Sequence, residues 1–316
     1  MTVSGIKLID LHQDLAFSSA KYDVIHSSDQ SNISELKKFD SCTVFSVLFP
    51  HIYTWNEKTT ELSRNYGTPT QPSTPLIQLF LEQLKLYSYI ARTENIKVVK
   101  NASDLDETGL KFLFALEGTD VLTDPFDVYL LSDLGLRSIG LTWNYDTKFA
   151  SSCMSKKDYG LTGYGEELVR LCNENNIIID LAHSSKQTIL DTCSITKKPV
   201  ICSHGNSGTV MKHIRNLDDA SIETIVKTDG IIGITAIPPT LSHTPKIKDL
   251  VTHMEYIGNN FGWKHVGIGT DFLGIDSTPA GFDNINKISA LSNLLNTHSD
   301  DVLWKNASNV LKKIMA

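Results

Sequence analysis

Short apolar runs and longer amphipathic segments alternate along the chain. The runs are rich in β-branched residues and bounded by polar or turn-forming residues, which is typical of strands buried on both faces of a parallel sheet. We predict eight such strands, over residues 5–14, 43–49, 111–116, 136–143, 177–181, 200–203, 230–237 and 264–272. Apolar residues at helical spacing predict helices over residues 75–94, 125–134, 163–175, 185–195, 218–227, 247–261, 288–295 and 301–314. Asn216 and Asp218 are both candidates for the N-cap of the helix at 218–227.

This alternation of strands and helices predicts the fold class. It favours an α/β protein built as a (β/α)8 TIM barrel, with residues 1–316 forming a single domain. A doubly wound open sheet is the alternative, but no GxGxxG motif follows a strand to support nucleotide binding. Residues 50–75 form a long polar connection that we interpret as a lid or an ordered extension over the barrel mouth.

Several of the predicted strands end in a side chain that can bind a metal ion. They are His12, Asp14, Glu117, His183, His204 and Asp271. The carboxyl ends of barrel strands form one ring around one mouth, where parallel α/β folds place their chemistry. Three imidazoles and three carboxylates suit two divalent ions, zinc first. Glu117 lies between the first pair and the two later histidines, so it is the natural bridging ligand.

Each of these residues also has a simpler interpretation. An HxD pair arises by chance, His183 could be a hydrogen-bonded core histidine, and Glu117 could be a solvated strand terminus. The coincidence of so many polar strand ends favours a shared metal site. The remaining histidines follow no apolar strand, and we assign them no functional role. They are His26, His51, His213, His243, His253, His265 and His298.

Composition narrows the possible partners and the cellular compartment. The net charge of −7 argues against nucleic acid or an anionic membrane as the main partner. No stretch reaches the roughly 18 to 20 apolar residues of a membrane span, and the amino terminus shows no signal peptide. Five cysteines without CxxC spacing are best explained as free thiols, so we expect a cytoplasmic protein. The sequence does not fix the oligomeric state, and a homodimer is the assembly we consider.

Seven motifs in chain order resemble those of the membrane dipeptidase, or renal dipeptidase, family of the amidohydrolase superfamily. They are DLHQD (10–14), ALEG (115–118), GLTWN (140–144), IDLAHSS (179–185), PVICSHGNSG (199–208), IRNLDD (214–219) and HVGIGTDFLG (265–274). The resemblance covers nearly the whole chain and implies a (β/α)8 barrel with two zinc ions. It implies that His12 and Asp14 bind one ion, that His183 and His204 bind the other, and that Glu117 bridges both.

The resemblance also implies roles in substrate handling. Asp271 matches the family's proton-shuttling aspartate, and Arg215 matches the arginine that holds the substrate carboxylate, as a bidentate guanidinium can. Without the family, Arg215 would be interpreted as a surface residue paired with Asp218 or Asp219. The family's oxyanion-stabilising histidine is replaced here by Trp143.

We therefore predict a zinc-dependent dipeptidase in which a hydroxide held between the two ions attacks the peptide carbonyl. Asp271 delivers a proton to the departing amine, and a D-residue is tolerated at the carboxyl-terminal position. Two alternatives remain open at this point. The same metal site could act on another small amide, lactone or ester, an alternative suggested by Trp143 in place of the family histidine. The chain could also bind metal without catalysing a reaction.

Overall fold

The computed structural model describes residues 3–50 and 75–316. Nine parallel strands lie within these ranges. They are β1 (Lys7–Gln13), β2 (Ser41–Leu48), β3 (Lys97–Val98), β4 (Gly109–Leu116), β5 (Leu136–Gly140), β6 (Ile178–Asp180), β7 (Ile201–Cys202), β8 (Ile231–Ile234) and β9 (Val266–Ile268).

Eight of these strands close into a ring. Their order is β2–β1–β9–β8–β7–β6–β5–β4, and β4 pairs with β2 to complete the barrel. The closing pair is long and regular, from Ser41 opposite Gly109 to Leu48 opposite Leu116. The two-residue strand β3 pairs with β4 alone and lies outside the ring. The predicted (β/α)8 barrel is confirmed, and the open-sheet alternative is wrong because the two ends of the sheet are joined.

The helices surround this barrel. They are α1 (Leu15–Ser18), α2 (Ile33–Leu36), α3 (Leu76–Thr93), α4 (Asp127–Asp133), α5 (Gly163–Glu174), α6 (Lys186–Ile195), α7 (Asp219–Lys227), α8 (Pro238–Leu241), α9 (Ile247–Ile257), α10 (Ile288–Leu295) and α11 (Asn306–Met315). Asp218 is the N-cap of α7, since its carboxylate accepts a hydrogen bond from the backbone N–H of Ser221. None of the described helices has the length and apolar character needed to cross a bilayer.

Six of the eight barrel strands are shorter than the apolar runs that predicted them, whereas β2 and β4 begin earlier than predicted and are longer. The run at 136–143 leaves the sheet after Gly140, and the run at 264–272 contributes only Val266–Ile268. A 3-10 turn, Trp263–His265, precedes β9, and π-helical turns occupy Gly258–Gly262 after α9 and Asp301–Lys305 before α11. The apolar residues beyond the strand ends remain buried in the loops of the barrel mouth, so burial extends further than hydrogen-bonded pairing.

The barrel interior is filled and is closed at one end by the last helix. Inward residues of the strands, such as Ile9, Leu113 and Ile231, form one apolar cluster with Leu311 and Ile314 of α11. The backbone carbonyl of Ile314 accepts a hydrogen bond from Lys198 Nζ, just before β7 begins. Because α11 covers the amino ends of the strands, the opposite, carboxyl end is the one open to substrate. From the sequence, we interpret residues 50–75 as a lid or an ordered extension. Residues 51–74 of that segment lie outside the described residues.

Candidate metal centre

The six predicted site residues meet at the carboxyl end of the barrel. His12 lies in β1, and the others follow their strands by one to three residues: Asp14, Glu117, His183, His204 and Asp271. Their side chains are between 1% and 12% exposed. Residues separated by up to 259 positions therefore form one buried cluster.

Glu117 is at the centre of this cluster. Its Oε1 atom lies 3.6 Å from His12 Nε2, 3.1 Å from His183 Nε2 and 3.6 Å from His204 Nε2. The Nε2 atoms of His183 and His204 are themselves 2.9 Å apart. Three imidazole nitrogens directed at one carboxylate oxygen form a donor set that a cation can occupy.

His12 links this group to two further carboxylates. Its Nε2 lies 3.5 Å from Asp14 Oδ2 and 3.7 Å from Asp271 Oδ1. A break in the register of β1 between Asp10 and Gln13 interrupts the strict alternation of faces near His12. Asp14 lies past the end of the strand, so the convergence of His12 and Asp14 does not come from strand alternation alone.

Burial and mutual charge perturb the ionisation of this cluster. Burial raises the pKa of Glu117 to about 8 and that of Asp271 to about 7, with His12 opposing the rise. Burial disfavours the imidazolium of His12, but the surrounding carboxylates, Glu117 first, outweigh it and raise its pKa to about 10. Burial, and then the positive neighbours, hold the pKa of His204 well below its usual range. Three buried carboxylates this close together thus favour positive charge among them, which a divalent ion would supply.

The hydrogen bonds of the imidazole rings test whether these residues fit a metal. His12 Nε2 is buried and has no hydrogen-bond partner among the described residues, which is costly for a polar atom. His204 Nδ1 contacts Ser203 Oγ at 2.8 Å, and His183 Nδ1 contacts Asn144 Oδ1 at 2.9 Å. When Nδ1 of His183 carries the proton and donates it to the amide oxygen, instead of accepting from the Nε–H of Arg215, the Nε2 lone pair is directed at Glu117. The residues present therefore fit a divalent cation.

The backbone is strained where two of these side chains leave their strands. His183 has φ of 63° and Asp271 has φ of 60°, in the left-handed region that non-glycine residues rarely adopt. Gly274 allows the following loop to approach closely, because a Cβ there would lie 2.3 Å from Asp14 Oδ2. The rigid barrel holds these residues in conformations that direct their side chains into the mouth.

Arg215 lies beside the cluster. Its Nε is 3.2 Å from His183 Nδ1, and its backbone N–H donates to His213 Nδ1 at 3.2 Å. The surface ion pair considered from the sequence is wrong, because Asp218 pairs with Lys186 at 2.6 Å and Arg215 makes no salt bridge among the described residues. The guanidinium is thus available at the edge of the metal cluster.

A cavity of about 1120 Å³ opens over the cluster. Arg215, Asp14, Glu117, His183 and Asp271 are among the residues that line it. The cavity is large enough for a small organic substrate. Sequence reasoning missed two residues here. Asn144 follows β5 at the same barrel end as the ligands, a position that could have identified it, whereas nothing local distinguishes His213. His253 and His265, by contrast, are buried, bonded to backbone atoms and not among the described residues that line the cavity.

Comparisons with known proteins find a family model, curated relatives and solved structures that are similar to this chain. The family model described as membrane dipeptidase, peptidase family M19, matches residues 2–316. An uncharacterized dipeptidase of Schizosaccharomyces pombe is 32% identical over 195 residues, which are 57% of this chain and 47% of that protein. The dipeptidase aclJ of Aspergillus oryzae is 30% identical over 210 residues, 63% of this chain and 50% of that protein. The chain spans about half the length of the curated relatives it matches.

A solved structure shows the same fold over the full length. It is a metallo peptidase from Rhodobacter sphaeroides, crystallised with a phosphinate mimic of the dipeptide L-Ala-D-Ala. It superposes with a TM-score of 0.83 and 20% identity, and the match covers 98% of this chain and 99% of that chain.

Proposed function

The chain belongs to the membrane dipeptidase family, peptidase family M19, and from that premise we propose that it hydrolyses the peptide bond of dipeptides with the help of bound metal ions. One observation carries the proposal: Glu117 Oε1 lies within 3.6 Å of the Nε2 atoms of three histidines at the open end of the barrel. We further propose that residues 1–316 act as one domain.

Two zinc ions are the metal we propose. His12 and Asp14 would hold one, His183 and His204 the other, and Glu117 would bridge them. Two observations support this assignment. His12 Nε2 has no hydrogen-bond partner among the described residues, and His183 Nε2 lies only 2.9 Å from His204 Nε2. Zinc ions bound there would supply a nucleophilic water at neutral pH and would polarise the peptide carbonyl.

The protein's own groups would position the substrate and move the proton. The Arg215 guanidinium would hold the terminal carboxylate of the dipeptide in a two-point contact. Burial raises the pKa of Asp271 to about 7. Its carboxylate would contact the substrate beside the peptide bond, take a proton from the attacking water and give that proton to the departing amine nitrogen. We propose that a D-residue is accepted at the carboxyl-terminal position, since the related Rhodobacter sphaeroides enzyme was crystallised with a mimic of L-Ala-D-Ala.

A second candidate function is hydrolysis of another small amide, lactone or ester at the same site. Trp143 favours it, because its ring centroid lies 6.0 Å from that of His183 and the indole occupies space at the reacting centre. The third hypothesis, a catalytically silent metal-binding protein, is retained as the outcome in which metal binds without turnover.

The compartment and the assembly are also proposals. All five cysteines are free thiols, as expected in a reducing environment, and we propose a cytoplasmic location. A homodimer would be tested by light scattering coupled to size exclusion.

The central experiment measures zinc content and dipeptide hydrolysis in one preparation. We expect two zinc ions per chain by elemental analysis, cleavage of L-Ala–L-Ala and L-Ala–D-Ala, and loss of cleavage after chelation with recovery on adding zinc. Asp271→Asn should abolish most of the turnover, whereas Asp300→Asn, at an aspartate whose side chain is 82% exposed, should not change it. Protein that carries two zinc ions and cleaves no dipeptide would refute the proposal, and turnover of another amide or ester by that protein would support the second candidate.

A further inference from the structure

Four aromatic side chains line one side of the cavity in a continuous row, which we name the aromatic wall: Phe17, Phe49, Trp143 and Tyr145. We propose that the aromatic wall selects dipeptides whose amino-terminal residue carries a large aromatic or apolar side chain. The inference rests on the proposed dipeptidase function and adds the substrate class that the site prefers.

The rings of the aromatic wall contact one another in sequence. Phe17 and Phe49 lie edge to face with centroids 5.4 Å apart, Phe49 and Trp143 are 5.2 Å apart, and Trp143 and Tyr145 are 5.8 Å apart. These separations fall within the range of about 4.5 to 7 Å in which aromatic pairs attract. Each ring contacts its neighbour in the row, so the wall forms a continuous aromatic surface along the cavity.

The four residues come from three separate barrel loops. Phe17 is in α1 after β1, Phe49 follows β2, and Trp143 and Tyr145 follow β5. The wall therefore reaches from Asp14, one helical turn before Phe17, to His183, whose ring centroid is 6.0 Å from that of Trp143. The whole length of the metal cluster thus lies beside an aromatic surface.

The position of Arg215 sets the direction of the substrate along this surface. Arg215 contacts His183, while Asp14 lies at the other end of the cluster, beyond His12. A dipeptide spans about 7 Å when extended. If its carboxylate lies at Arg215 and its peptide bond at Glu117, its amino-terminal residue lies toward Asp14 and the Phe17–Phe49 end of the wall.

This direction separates the two ends of the substrate chemically. The amino group meets carboxylates, and the side chain beside it meets aromatic rings. A phenyl or indole group there would gain aromatic contacts that a methyl group cannot make. The carboxyl-terminal side chain of the dipeptide, held near Arg215, lies away from Phe17 and gains fewer aromatic contacts than the amino-terminal side chain.

The test compares kcat/KM for L-Phe–L-Ala, L-Ala–L-Phe and L-Ala–L-Ala in zinc-loaded protein. We expect L-Phe–L-Ala to exceed L-Ala–L-Ala about tenfold, which corresponds to about 1.4 kcal/mol. Phe49→Ala and Phe17→Ala should each reduce that ratio toward one, and Phe49→Tyr, which keeps the ring, should retain most of it. Tyr89→Ala is the matched control, because Tyr89 is an aromatic residue 61% exposed on α3 that does not line the cavity, and it should leave the ratio unchanged.

Binding supplies a readout that does not depend on turnover. Calorimetry with two phosphinate dipeptide analogues, one with a benzyl and one with a methyl group at the amino-terminal position, should show tighter binding of the benzyl compound. The difference should be lost in Phe49→Ala and Phe17→Ala. Equal kcat/KM for L-Phe–L-Ala and L-Ala–L-Ala, or a preference that survives both substitutions, would overturn the aromatic-wall inference and leave the dipeptidase proposal intact. Protein that cleaves no dipeptide and binds neither analogue would refute both.

Discussion

Two glycines of the barrel lie against Ser203, the residue before His204, and replacing one of them should disturb the metal centre from a distance. A Cβ at Gly269 would lie 1.8 Å from the backbone oxygen of Ser203, and one at Gly233 would lie 2.0 Å from the same oxygen. Ordinary contact begins at 3.4 Å, so Gly269→Ala requires the two atoms to separate by 1.6 Å. Ser203 precedes His204 directly, so the displacement is passed to a proposed ligand.

We expect Gly269→Ala to cost stability and, more strongly, activity. Overpacking in a well-packed core costs about 1–3 kcal/mol, which should lower Tm by about 2–8 °C. A misplacement of about 1 Å at a catalytic group can reduce the rate about 100-fold. His204 Nε2 lies 3.6 Å from Glu117 Oε1, and a shift of that size would separate His204 from the cluster. Zinc affinity by calorimetry, kcat/KM for L-Ala–L-Ala and Tm by calorimetry check the three expectations.

Gly163→Ala is the matched control. No atom of residues 3–50 or 75–316 lies within 4 Å of a Cβ built at Gly163, the first residue of α5. Alanine there should leave zinc affinity and kcat/KM unchanged and should not lower Tm, since alanine favours helix over glycine. If folded Gly269→Ala keeps the zinc affinity and kcat/KM of the wild type, then the close approach at Ser203 does not position His204 and the reasoning fails.

Four further predictions follow from individual contacts. Asp271→Asn should lower kcat by about 100-fold or more with zinc content unchanged, measured by steady-state kinetics and elemental analysis, because asparagine tolerates the same left-handed backbone but cannot carry the proton. Asn144→Ala should weaken zinc binding about 10- to 100-fold by removing the acceptor that orients His183, and Asn144→Asp should restore much of it in the same titration. Arg215→Lys should raise KM for dipeptides about tenfold with a smaller effect on kcat, because lysine cannot grip a carboxylate at two points; an unchanged KM would place the substrate carboxylate elsewhere. Hydrogen bonds from Lys264 and Lys313 lower the pKa of Asp229 to about 2. The contribution of Asp229 to stability is therefore complete above its unfolded pKa near 3.8 and is lost as the pH falls through 2. Asp229→Asn, which tolerates the same left-handed backbone, should reduce the free energy of unfolding measured in urea by at most about 1 kcal/mol, equally at pH 5 and pH 8.

The sequence was sufficient for the main architecture because strand and helix periodicity are local properties. The run at 111–116 and the helix at 219–227 were predicted nearly to their ends, since each is bounded by a clear polar or capping residue. The runs at 136–143 and 264–272 were predicted too long, because apolar residues continue into buried loops after hydrogen-bonded pairing stops. The single-turn helices α1, α2 and α8 were missed, as they are too short to show a period.

The candidate site was predicted by residue type and by its position at one end of the barrel, and the contacts within it were not. Polar residues at the ends of apolar strands identified the six side chains that the structure brings together, while their roles as ligands stay a proposal. The orientation of His183 by Asn144 depends on two loops that meet only in the closed barrel. The aromatic wall joins Phe17, Phe49 and Trp143 across sequence separations that no periodicity reveals.

The sequence by itself determined the barrel and identified the polar side chains at one of its ends. A parallel strand buried on both faces is an apolar run, and polar residues follow where the strand reaches solvent. Only the tertiary structure decided how those side chains meet. The closure of β2 on β4 fixes the diameter of the ring, and backbone strain at His183 and Asp271 sets the direction of their side chains. These quantities come from long-range packing, which overrides local preference wherever the surrounding core is rigid.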